Sequence, residues 1–215
     1  MINKSKKQIP QTTASQLSAI IKACRDIMRK DKGLNGDSDR LPMLTWIMFL
    51  KFLDDMEMVR ETETKMQGKK YSLPIKPPYR WRDWAVKEDG ITGEELISFI
   101  NNQECVRPDG TRGPGLFQYL RSLEGSSERE DRRYVIATVF RGTANRMLNG
   151  YLLRDVINKV TQIHFTSTEE MNTLSGKHPP TPLKDVLSGY DQREDRFLSR
   201  LITAICREEK LDGWK

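Results

Sequence analysis

The sequence has few of the residues that catalytic and metal sites commonly use. Its 215 residues include two histidines, His164 and His178, and neither lies in an HExxH pattern. Nucleophile–histidine triads and histidine-based metal sites are therefore disfavoured. The GxxxxGK[ST] and GxGxxG glycine patterns that bind nucleotide phosphates are absent. We predict no catalytic, cofactor-binding or metal-binding residue in this chain.

Cysteines and long apolar runs are also scarce. Cys24, Cys105 and Cys206 are far apart and form no CxxC pair, so we expect reduced thiols and a cytoplasmic protein. The longest apolar stretch, residues 41–53, contains Lys51 and is shorter than the roughly 20 residues that a membrane span needs. The N-terminal basic residues are not followed by an apolar segment, which argues against a secretory signal. We therefore expect no membrane partner.

The chain does have charge, and enough apolar residues to fold. Hydrophobic residues make up 37% of it and charged residues 31%. There are 36 Lys and Arg against 30 Asp and Glu, a formal net charge of +6. This excess permits a nucleic-acid partner without requiring one.

Apolar residues recur at helical spacing near the N-terminus. A first amphipathic helix follows a capping pattern at Thr13 and ends near Gly33. A second begins with Pro42 in its first turn and runs to about Met66. Because residues 43–53 are apolar on nearly every side, we expect this helix at the centre of a bundle.

The same spacing and capping signals predict further helices. Thr92 and Glu95 form a capping-box pattern, and Ser127 and Glu130 form another. Residues 134–140 fit a helix or a strand, and the cap before them favours a helix. Helices are expected at 92–102, 116–123, 134–140, 148–163, 167–174 and 197–206, with a turn at 107–115. The predicted fold class is mainly α, a bundle of about seven or eight helices with few or no strands.

Residues 67–90 interrupt this helical pattern. Three prolines exclude a regular helix over most of the segment, and Tyr79, Trp81 and Trp84 follow closely. We expect a long ordered loop or a short strand that wraps the bundle.

Two interpretations of this Pro/aromatic loop stay open. Lys76, Arg80 and Arg82 could contact DNA phosphates while the aromatic rings stack on bases. Alternatively, Trp81 and Trp84 pin the loop onto the bundle and the two arginines stay solvated. Because tryptophans are usually largely buried, we favour the second interpretation. Lys76, Arg80 and Arg82 remain the nominated DNA contacts.

The string Lys76-Pro77-Pro78-Tyr79 resembles the Asn-Pro-Pro-Tyr motif of amino-methyltransferases. In that motif the Asn or Asp accepts a hydrogen bond from the target amino group. Lys76 has donors only, and no glycine-rich methyl-donor loop precedes it. We therefore reject this string as a catalytic site.

Several longer strings, taken in order, resemble one protein family. They are Cys24-Arg25-Asp26-Ile27-Met28-Arg29, Leu44-Thr45-Trp46-Ile47-Met48-Phe49-Leu50-Lys51-Phe52-Leu53-Asp54, Tyr79-Arg80-Trp81-Arg82-Asp83-Trp84-Ala85, Thr92-Gly93-Glu94-Glu95-Leu96-Ile97 and Asn145-Arg146-Met147-Leu148-Asn149-Gly150-Tyr151-Leu152-Leu153. Over residues 15–175 the chain is similar to the N-terminal region of type I restriction–modification DNA methyltransferase (modification) subunits.

The resemblance implies a non-catalytic helical domain that serves complex assembly and DNA clamping. In the family such a domain precedes a catalytic domain that binds S-adenosylmethionine and methylates adenine N6. The implied partners are DNA, the specificity subunit and the motor–nuclease subunit. S-adenosylmethionine is implied for the full subunit, with no cofactor expected in this chain. The alternative is a stand-alone helical protein-interaction adaptor that does not bind DNA.

The family pattern is not found after about residue 175. No Gly-Glu-Phe-Tyr-Thr-Pro segment, which opens the catalytic domain in the family, is present. We therefore divide the chain into a basic tail (1–12), the helical N-terminal domain (13–175) and a C-terminal helical extension (176–215), with the catalytic domain absent.

Overall fold

The structure is a computed structural model that describes residues 14–87, 90–123 and 132–164. The predicted basic tail, the caps at Thr13 and Ser127, the helices at 167–174 and 197–206 and the extension 176–215 lie outside the described residues.

Helices dominate the described residues, and the mainly α prediction is confirmed. The helices are α1 (Ala14–Met28), α2 (Asp37–Met66), α3 (Trp81–Trp84), α4 (Gly93–Asn101), α5 (Leu116–Ser122), α6 (Arg132–Arg141) and α7 (Gly150–Thr161). One antiparallel hairpin joins β1 (Cys105–Val106) to β2 (Arg112–Gly113), with Cys105 opposite Gly113. The hairpin lies where the glycines and prolines of 107–115 predict a turn.

The long helix α2 supplies much of the core. Trp46 and Ile47 are almost completely buried, as expected for a helix that is apolar all round. The Trp46 ring meets Phe117 of α5 edge-on at 5.1 Å, and the Phe49 ring lies 6.0 Å from Phe140 of α6. These contacts connect α2 to two later helices, in agreement with its predicted central position.

The start of α2 differs from the prediction. The helix begins at Asp37, so Pro42 lies inside it rather than in its first turn. Asp37 and Asp39 occupy the first turn, where carboxylates are favoured by the helix dipole. Asp37 also accepts hydrogen bonds from Arg25 and Arg40. These interactions, one of them with α1, stabilise a first turn that the proline rule alone does not predict.

The first and last described helices, α1 and α7, pack against each other. The Cys24 thiol lies 4.0 Å from the carbonyl oxygen of Val156. α1 ends at Met28, earlier than the predicted end near Gly33.

A buried carboxylate joins the end of α1 to the start of α7. Asp31 is 3% exposed and accepts hydrogen bonds from the backbone N–H groups of Gly33 (2.8 Å), Leu148 (3.1 Å) and Asn149 (2.9 Å). The Asn149 side chain in turn caps α7 by accepting from Tyr151 N and Leu152 N. The residues before α7 are therefore held at several points.

Two glycines allow backbone segments to touch in this region. A Cβ on Gly150 would lie 1.8 Å from the carbonyl oxygen of Gly93, at the start of α4. A Cβ on Gly33 would lie 2.1 Å from the carbonyl oxygen of Arg146. Any side chain at either position would force the backbone apart.

The capping box predicted at Thr92 is not formed. Thr92 is the N-cap of α4, but its side chain makes no capping hydrogen bond. The helix nevertheless begins as expected, because Leu96, Phe99 and Ile100 bury its apolar face.

Within the described residues, no helix is both long enough and apolar enough to cross a membrane.

Candidate nucleic-acid interface

Residues 67–87, which we call the aromatic loop, place their aromatic rings against the bundle. Tyr79, Trp81 and Trp84 are each no more than 3% exposed. The Trp81 and Trp84 rings meet edge-on at 5.3 Å, and Trp84 meets Phe99 of α4 at 5.6 Å. The interpretation that both tryptophans pin the loop onto the bundle is confirmed.

Arg80 is held by a carboxylate three residues along the chain. Its Nε and Nη2 donate to the two oxygens of Asp83 at 2.6–3.1 Å, and the Asp83 carboxylate also accepts from the Arg80 backbone N–H. This exchange closes the first turn of α3. The hydrogen bond to Asp83 raises the pKa of Arg80, so the guanidinium stays charged and engaged.

Arg82 connects the aromatic loop to α2. Its Nε donates to Asp54 at 2.9 Å, its backbone N–H donates to the same carboxylate at 3.2 Å, and its Nη1 lies 3.4 Å from Glu61. Asp54 is 7% exposed. Burial raises the pKa of Asp54, and the positive charge of Arg82 opposes that rise.

The prediction that Arg80 and Arg82 stay solvated is wrong. About a fifth of each side chain is exposed, 22% and 23%, and each forms ion pairs. Asp83 pairs with Arg80, Asp54 pairs with Arg82, and Glu61 pairs with both Arg82 and Lys65, so this cluster of three cations and three carboxylates is neutral. Sequence reasoning missed the Arg82–Asp54 pair because the two residues lie 28 positions apart, whereas the Arg80–Asp83 pair spans only three residues and was open to a local pattern.

Lys76 lies apart from this cluster. Its side chain is exposed and makes no ion pair within the described residues. Its backbone N–H donates to the Tyr119 hydroxyl at 2.8 Å, and the Tyr119 ring stacks on Tyr79 with centroids 3.8 Å apart. The structure thus separates the three nominated contacts into one exposed lysine and two paired arginines. Their contact with DNA stays a prediction.

The Pro-Pro-Tyr string that resembles a methyltransferase motif is packed inward. Pro78 and Tyr79 are buried, and the Tyr79 ring lies nearly parallel to both Tyr119 and Phe99. The Tyr79 hydroxyl donates to the carbonyl of Pro114 at 2.8 Å. This tyrosine therefore connects the aromatic loop to the hairpin and α5.

Arg107 of the hairpin is a cation that sequence reasoning treated only as part of a turn. Its guanidinium lies 5.8 Å from the Tyr79 ring centre and donates to the Tyr79 hydroxyl at 3.4 Å and to Thr111. The nearest carboxylate, Asp109, is 3.8 Å away. Arg112, on the second strand, is exposed. Residues 107–112 include both arginines, but nothing in this local sequence predicts that Arg107 contacts Tyr79.

A second buried carboxylate, Glu57, lies on the same side of α2 as the loop. Although it is only 4% exposed, it accepts hydrogen bonds from Arg60, Arg132 and Tyr71. Burial, together with the hydrogen bond to Glu57, raises the pKa of Tyr71 to about 12. Glu57 thereby joins α2, the aromatic loop and α6. Among the described residues, no group of acidic, histidine or cysteine side chains could hold a metal ion.

Comparison with known proteins gives consistent matches. Residues 17–108 match the family described as HsdM N-terminal domain. The chain is 38% identical over 178 residues to the type I restriction enzyme EcoEI methylase subunit of Escherichia coli, which covers 83% of this chain and 33% of that protein.

Two solved structures are also similar. One is a modification subunit assigned to a type I restriction enzyme from Vibrio vulnificus YJ016, with 64% identity and a TM-score of 0.78 over 85% of this chain and 36% of that one. The other, from work on complex assembly and conformational transition of the type I restriction–modification system, has 32% identity and a TM-score of 0.57 over 77% of this chain and 29% of that one. The chain thus spans about a third of the length of these relatives.

Proposed function

We propose, from the premise that this chain carries the N-terminal domain of a type I restriction–modification methylase subunit, that the domain serves complex assembly and DNA clamping. The domain extends over residues 13–175 in this proposal. It works beside the catalytic part of the subunit, and it binds neither S-adenosylmethionine nor a metal itself. The observation that carries the proposal is the 64% identity to a modification subunit over 85% of this chain.

The assembly role is supported by the way the domain presents its surface. Leu148 and Tyr151 are 71% and 66% exposed, although the backbone that carries them is fixed by Asp31 and by the Asn149 cap. Exposed apolar side chains on a fixed backbone suit a protein partner, because little backbone entropy is lost when they are covered. The partners proposed are the specificity subunit and the motor–nuclease subunit of the same system.

The DNA role is supported by the net charge of +6 and by exposed cations such as Lys76 at the aromatic loop. If about four phosphates are neutralised, log K should fall with log salt at a slope of about −3.6. Affinity for a duplex should then drop about 150-fold between 50 and 200 mM salt. A flat salt response would contradict this role.

Two measurements test the proposal. Co-elution of the chain with a specificity subunit of a type I system tests assembly, and Leu148→Ser combined with Tyr151→Ser should weaken it while leaving the circular dichroism spectrum unchanged. Calorimetry with S-adenosylmethionine tests the non-catalytic assignment: this chain should show no binding heat, whereas a full subunit should. Binding by this chain would overturn that assignment.

A helical adaptor that binds proteins but not DNA is the second candidate. It is favoured by the ion pairs of Arg80 and Arg82, because a phosphate would have to displace a carboxylate from either guanidinium. Under this candidate the chain co-elutes with a protein partner and shows no duplex binding at 50 mM salt.

A further inference from the structure

We draw no further inference here: the strongest candidate, the exposed side chains of Leu148 and Tyr151 at the start of α7, belongs to the assembly surface already proposed, and nothing in the described residues shows which partner covers it.

Discussion

Replacing Asp31 should reveal how strongly the joint between α1 and α7 holds the domain together. Three backbone N–H groups, from Gly33, Leu148 and Asn149, donate to this one buried carboxylate. A hydrogen bond to a charged acceptor contributes about 1.5–3 kcal/mol, and a buried donor left without a partner costs about 1–3 kcal/mol. Because the three bonds share one acceptor, their contributions do not add. We expect Asp31→Ala to lower the free energy of unfolding by about 3–5 kcal/mol.

Urea unfolding followed by circular dichroism measures this change. Asp31→Asn keeps one acceptor oxygen, so its free energy of unfolding should fall by roughly half as much as that of the alanine variant. Asp26→Asn is the control for charge, because Asp26 is half exposed and pairs with Arg29 on the surface; it should change stability by less than about 1 kcal/mol. The reasoning is refuted if Asp31→Ala unfolds within about 1 kcal/mol of the wild type, or if Asp31→Asn and Asp31→Ala are equal.

Three further changes test the core and its ionised groups. Phe49→Ala should lower the free energy of unfolding by about 3–5 kcal/mol in the same assay, because Phe49 packs on Phe140 inside the bundle. A loss below about 1 kcal/mol would mean that the core around Phe49 is loosely packed. Burial raises the pKa of Cys24 to about 12 from 9.0, so only the unfolded chain ionises this thiol just above pH 9, and stability should fall as pH rises. Raising the pH from 8 to 10 should lower the free energy of unfolding of the wild type by about 1.4 kcal/mol more than that of Cys24→Ala. Equal losses in the two proteins would contradict the raised pKa of Cys24. Arg82→Ala should lower the free energy of unfolding by about 3 kcal/mol, because it leaves Asp54 buried and unpaired. Adding Asp54→Asn to this variant should restore part of the lost stability. No recovery would show that the loss does not come from the Arg82–Asp54 pair.

Local apolar spacing was sufficient to predict most helices. Val156, Ile157 and Val160 form a stripe at helical spacing, and all three are buried in α7. The burial of Trp81 and Trp84 was predicted because tryptophan side chains are usually largely buried. These features depend on residues close together in the chain, so a single sequence reveals them.

The candidate site depended on contacts that local patterns do not contain. Arg82 pairs with a carboxylate 28 residues earlier, and Arg132 reaches Glu57 across 75 residues. A basic–aromatic string looks the same in sequence whether its arginines face solvent or neighbouring carboxylates. The early start of α2 has a similar origin, because Arg25 on another helix helps to hold Asp37.

The packing of α1 against α7 has a consequence for the synthesis of the protein. Cys24 and Val156 are in contact although 132 residues separate them. At about 5–20 residues per second, a ribosome needs roughly 7 to 26 seconds to make that interval. Throughout this time α7 is not yet available to cover the apolar face of α1. Premature termination before α7 would leave the same face exposed for as long as the fragment lasts.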